Sequence, residues 1–87
     1  MMKHKIRLNG KYMSDKHSAL EHLFERFDLM EKVSNLDAFW DVLSSLNRIE
    51  KITLIHAEDL ITYDYGQKIM KLLIDYVRLK EITCTIR

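Results

Sequence analysis

The run Ile52-Thr53-Leu54-Ile55 restricts the fold more than any other part of this chain. It is short, β-branched and almost continuously apolar, the pattern of a strand buried on both faces. Helical periodicity flanks it on both sides. At about 100° per residue, Leu36, Phe39, Trp40, Leu43 and Leu46 form one apolar stripe ahead of it. Tyr65, Ile69, Leu72, Leu73 and Tyr76 form another behind it. Residues 4 to 8 alternate and end at Asn9-Gly10, a turn signal, so they read as a first strand, and 82 to 86 read as the last. Strands separated by helices imply right-handed crossovers and a parallel sheet.

The remaining elements follow from local signals. Ser14 is expected to cap a helix from Asp15 to about Phe27, with Ala19, Leu20, Leu23, Phe24 and Phe27 inward. A link through Met30 to Val33 leads to a helix from about Asn35 to Leu46, stopped by Asn47 and Arg48. Ala57 to Ile61 is expected to form a helical turn, and Asp64 to cap a last helix ending near Leu79. Gly66, near that helix start, marks a backbone constraint. The expectation is therefore one α/β domain spanning 1–87, in two layers: a three-stranded parallel sheet covered mainly on one side by three to four helices.

Composition limits the function classes. With 47% apolar and 31% charged residues, the chain is that of a folded protein and not of a disordered one. A formal charge of +1 lacks the basic excess of a phosphate-binding domain, so direct nucleic-acid binding is not expected. The charges are uneven, however. Lys3, His4, Lys5, Arg7, Lys11 and Lys16 crowd the N-terminal region, while Asp28, Glu31, Asp37 and Asp41 make the middle acidic. The acidic end is the one that would steer towards a basic protein. Cys84 is the single cysteine, so an internal disulfide is excluded, and a reducing, cytoplasmic location is expected. Neither a leader nor a membrane span is readable in the sequence.

The chemistry concentrates at Asn35-Leu36-Asp37-Ala38-Phe39-Trp40-Asp41. Residues four apart share a helix face, so Asp37 and Asp41 point the same way, with Ser34 and Ser44 beside them and Trp40 at the border of the apolar stripe. A structural reading covers part of this. Ser34-x-x-Asp37 has the form of a capping box, and a first-turn carboxylate is favoured by the helix dipole. Asp41 lies a turn further on, where the dipole adds little, and two acids at i and i+4 repel slightly. That arrangement costs stability unless a cationic partner offsets it. Trp40 by itself reads as core filler whose border position leaves it partly exposed.

The same segment resembles the barstar family of small bacterial ribonuclease inhibitors. Its Asn-Leu-Asp-Ala-aliphatic-Trp-Asp helix start is matched here except at Phe39. Ile6-Arg7-Leu8-Asn9-Gly10 is similar to the family's first strand and turn. Ser14-Asp15-Lys16-His17, leading to Leu20, is similar to the start of its first helix, and Glu81-Ile82-Thr83-Cys84-Thr85-Ile86 to its last strand. The likeness covers nearly the whole chain, and only 35–41 is specific. It implies a barstar-like fold and an antitoxin- or immunity-like inhibitor whose carboxylates occupy phosphate positions in a nuclease active site. By position, Asp41 is then the main anchor and Asp37 the second; Trp40 packs at the rim, Ser44 is a lesser polar contact, and Asp75 approximates a further acidic position. The chain departs from the family at Glu31-Lys32-Val33-Ser34. Members commonly carry Tyr-Tyr-Gly there, with an aromatic side chain that enters the nuclease site; a lysine there would repel a basic one. The implied partner is a basic protein, a ribonuclease, and the alternative is a regulatory module with a non-nuclease partner.

No cofactor, metal site or catalytic set is expected. His17 and His22 are five apart, off the i, i+4 register that grips one ion. His4 and His56 are expected on strands with no acidic or thiol neighbour at ligand spacing, and all four histidines read as surface or satisfied residues. Cys84 reads as a small core residue. Two exposed aspartates on a convex helix do not make a separated acid/base pair, so an enzyme is not expected. The oligomeric state is not legible.

Overall fold

The computed structural model describes residues 4–87; Lys3, counted above in the basic N-terminal region, lies outside them. The chain runs β1 (His4–Asn9), a 3-10 turn (Gly10–Tyr12), α1 (Lys16–Arg26), α2 (Leu36–Ser44), β2 (Ile49–Ile55), α3 (Ala57–Leu60), α4 (Asp64–Lys80) and β3 (Thr83–Ile86). The strands form one sheet in the order β1-β2-β3, and both pairs are parallel. This is the two-layer α/β architecture that the alternation of strand and helix patterns required.

Each boundary has a local cause. Asn9 ends β1, and its side chain accepts from the Lys11 backbone N–H to start the 3-10 turn. Gly10 is required there by close approach: a Cβ would lie 2.0 Å from the His56 carbonyl oxygen. Asp15, not Ser14, caps α1, accepting from the Ser18 N–H at 2.8 Å. The cap sits three residues before the N–H it satisfies, and Ser18 occupies that position relative to Asp15. Arg48 then pins the end of α1 to the start of β2, its Nη2 donating to the carbonyls of Phe27 and Asp28. At α4, Tyr63 holds the N-cap position without a side-chain cap bond. Asp64 is instead the first helical residue, where its charge meets the helix dipole. Gly66 is a true backbone constraint, because a Cβ there would come within 1.7 Å of the Leu60 carbonyl oxygen.

The core lies between the sheet and the helices. Ile6 and Leu8 of β1, Ile52 and Leu54 of β2, and Ala19, Leu23, Phe27, Phe39, Leu43, Ile69, Leu73 and Tyr76 from the helical side are buried together. β2 departs from the sequence expectation. Its residues alternate between buried and partly exposed, so only one face is covered. Thr53 and Ile55 lie on the other face, which the two-layer arrangement leaves open. A bulge also intervenes: His4 pairs with Ile49 but Lys5 with Lys51, leaving Glu50 as the extra residue. Cys84 is half-buried on edge strand β3, and burial pushes its thiol pKa up, away from thiolate chemistry.

Candidate functional site

Helix α2 is set by its cap. The Asn35 side chain accepts from the Ala38 N–H at 2.8 Å, so the expected Ser34 capping box does not form. Phe39 and Leu43 are fully buried, at about 2 kcal/mol of apolar burial each, and fix the helix rotation. Leu36, Trp40 and Leu46 pack partly buried against the same core. That rotation leaves Asp37 and Asp41 exposed on the opposite flank, as their spacing predicted. With Asn35 as the cap, Asp37 is not needed to complete a box.

Trp40 stands at the border. Its ring meets Tyr76 of α4 edge-on, with centroids 6.3 Å apart and planes at 86°. The Tyr76 hydroxyl reaches the Leu46 carbonyl at 3.4 Å, so one buried tyrosine touches the middle of α2 and the segment just beyond its C-terminal end. This packing lays α2 alongside α4 and opens a groove of about 510 Å³ between them. Leu36, Trp40 and Leu72 supply its apolar surface; Asp37 and Asp41 line the α2 side, and Lys68, Lys71 and Asp75 the α4 side. Asp75 therefore lines the same groove as Asp37 and Asp41. Ser44 does not line the groove; its hydroxyl donates to the Asp41 carbonyl at 3.1 Å, within its own helix.

Lys68 and Lys71 are the groove residues that sequence reasoning missed. Positions 68, 71, 72 and 75 repeat at i, i+3, i+4 and i+7, so their shared face was legible. Its apposition to α2 was not, because that depends on Tyr76 meeting Trp40. Among the described residues, the ion pairs within 4.0 Å are Lys32–Glu21 and His56–Glu58. Neither crosses the groove, so its two signs of charge face each other without closing.

Lys32 takes a different direction from the groove. Its Nζ lies 3.2 Å from Glu21 Oε1 and over the Phe24 ring, on α1. There it borders a separate depression with Lys16, His17, Leu20 and Val33. The histidines split into two cases. His22 Nε2 accepts from the Asn9 backbone N–H at 3.0 Å, a satisfied residue. His56 departs from expectation: α3 turns Glu58 and Asp59 back towards it, and the three ligand atoms lie within 4.8 Å of one another. All three sit on one short surface turn, with both carboxylates exposed. No helix among the described residues is long and apolar enough to cross a membrane. No protein-family model matches this chain, and neither does any curated protein.

Proposed function

We propose that the α2–α4 groove is a protein-docking surface, and that the chain is a barstar-like inhibitor which blocks the active site of a small ribonuclease with carboxylates in place of phosphates. The observation that carries this reading is the convergence of Asp37, Asp41 and Asp75, from two helices, around a half-buried tryptophan. A nuclease site gathers cationic groups for phosphate. Carboxylates held on a rigid helix meet those groups without offering a bond to cleave, and complementary charge both speeds the encounter and strengthens the complex. Asp41 and Asp37 are the anchors, Asp75 the third acid, and Trp40 the apolar contact at the rim. Ser44 contributes through the C-terminal turn of α2 and not through the groove.

A second reading keeps the surface and changes the partner. Lys68 and Lys71 in the groove, with Glu31-Lys32-Val33 in place of the family's aromatic segment, favour a regulatory module whose partner is not a nuclease.

The deciding experiment compares wild-type protein with Asp37→Ala/Asp41→Ala as bait in lysate and secreted fractions of the source cell. The inhibitor reading expects one basic protein held by the wild type and lost by the variant, with ribonuclease activity that the wild type suppresses. A retained partner without nuclease activity gives the second reading. Equal retention by both baits would remove the acidic face from either.

A further inference from the structure

Three carboxylates account for only part of the groove. Lys68 and Lys71 are exposed along its α4 side, and a uniformly cationic partner seated on Asp37 and Asp41 would bring its charges against them. Like charges brought together at an interface are strongly disfavoured and suppress wrong partners. The free protein does not neutralise these lysines across the groove, since neither pairs with Asp37, Asp41 or Asp75 within 4.0 Å. Between the two charged sides lie Leu36, Trp40 and Leu72, an apolar strip backed by Tyr76. About 510 Å³ of space lies between the walls, room for a few side chains of whatever docks on it.

From this we infer that the groove selects a mixed-charge protein segment. An apolar side chain rests on Leu36, Trp40 and Leu72; a cationic group meets Asp37 and Asp41, and an anionic group meets Lys68 and Lys71. The inference rests on the docking reading above and deepens it, making Lys68 and Lys71 specificity determinants that reject an all-cationic surface. Across the groove the acidic pair Asp37 and Asp41, the apolar strip and the basic pair Lys68 and Lys71 follow one another, and an occupant that carries the complementary order satisfies all three. That order of charges commits the occupant to a foreign mixed-charge segment, with a second copy as an outcome of the test.

The test is selection of a displayed random twelve-residue peptide library on the intact protein. Enriched peptides are then synthesised and titrated by the fluorescence of Trp40, the chain's single tryptophan. Wild type, Lys68→Ala/Lys71→Ala and Asp37→Ala/Asp41→Ala are compared. All four substituted positions are exposed, and circular dichroism checks that each variant is folded. The expected result is peptides carrying both signs of charge around an apolar residue, with each double variant weakening binding about tenfold or more. Purely cationic peptides, lost with Asp37→Ala/Asp41→Ala but unchanged or tightened by Lys68→Ala/Lys71→Ala, would overturn the inference and leave the inhibitor reading standing. Absence of enrichment, or binding indifferent to both variants, would overturn the inference, while the inhibitor reading is decided separately by the bait experiment above. A concentration-dependent dimer in sedimentation that Lys68→Ala/Lys71→Ala dissolves would make the occupant a second copy and also defeat the inference.

Discussion

His22 and Arg26 stand one turn apart on α1, along the edge of β1 that no strand covers. His22 Nε2 accepts from the Asn9 N–H, and Arg26 Nε donates to the Arg7 carbonyl at 2.7 Å. Two side chains thus satisfy backbone groups that an edge strand otherwise offers to another chain. The arrangement requires a neutral imidazole, because a protonated ring has no lone pair to accept with. Burial lowers the His22 pKa, and the Arg26 guanidinium lowers it further; Glu25 opposes them, and the Tyr12 ring packs 5.6 Å away. In the unfolded chain the same group titrates near its ordinary value of about 6.5. Below that value the unfolded state takes up a proton that the native state refuses, so stability rises with pH across this window. The contribution is complete above about pH 6.5 and is lost as pH falls towards the depressed native value. His22→Gln keeps an acceptor that does not titrate. Urea unfolding between pH 7.5 and 5 is expected to show a decline for the wild type that is shallower in His22→Gln. Parallel declines would mean that His22 does not carry the linkage.

Helix α2 was legible in the sequence because everything that forms it is local. Asn35 precedes the first periodic apolar residue, and Phe39 and Leu43 mark the buried face four residues apart. The choice of cap was less legible. Ser14 and Asp15, like Ser34 and Asn35, are adjacent residues with equal capping chemistry, and one rotation of the chain decides between them. In both pairs the second residue wins, since its oxygen meets the N–H three positions on. The groove was legible on each wall separately, but not as a pair of walls. No local signal says that the 68–75 stripe faces Asp37, because Trp40 and Tyr76 are thirty-six residues apart and their contact is tertiary. Since nine residues are too few for a stable isolated helix, α2 depends on its cap and on that contact. Asn35→Ala is expected to cost about 1 kcal/mol, a fall in Tm of roughly 4–8 °C for a domain of this size. It should also loosen the presentation of Asp37, in the first turn. Thermal unfolding measures the first effect. An unchanged Tm would mean that packing by Phe39 and Leu43 holds the helix without its cap.

Over the whole molecule, sheet topology sets how the chain must be assembled. β1 and β2 are neighbours, yet α1 and α2 lie between them in sequence; β2 and β3 are separated by α3 and α4. Every strand pairing is therefore non-local, and loop closure precedes any reward from the ladder. The open face adds a smaller cost, because Lys5 and Lys51 are register partners across β1 and β2. The non-local pairing places folding between the fast helical bundles and the slow all-β domains. Slower phases need a different cause. The usual one is X-Pro isomerisation in the unfolded chain, over roughly tens of seconds, and this sequence has no proline. With one cysteine, it has no intramolecular disulfide to reshuffle either. Refolding is therefore expected to be complete without a phase of tens of seconds, whatever time the chain has spent unfolded. Double-jump experiments vary that time directly. A slow amplitude that grows with unfolding time would contradict the expectation. A slow amplitude that grows with protein concentration would point instead to association during refolding, for which the open sheet face and the β3 edge are the available surfaces.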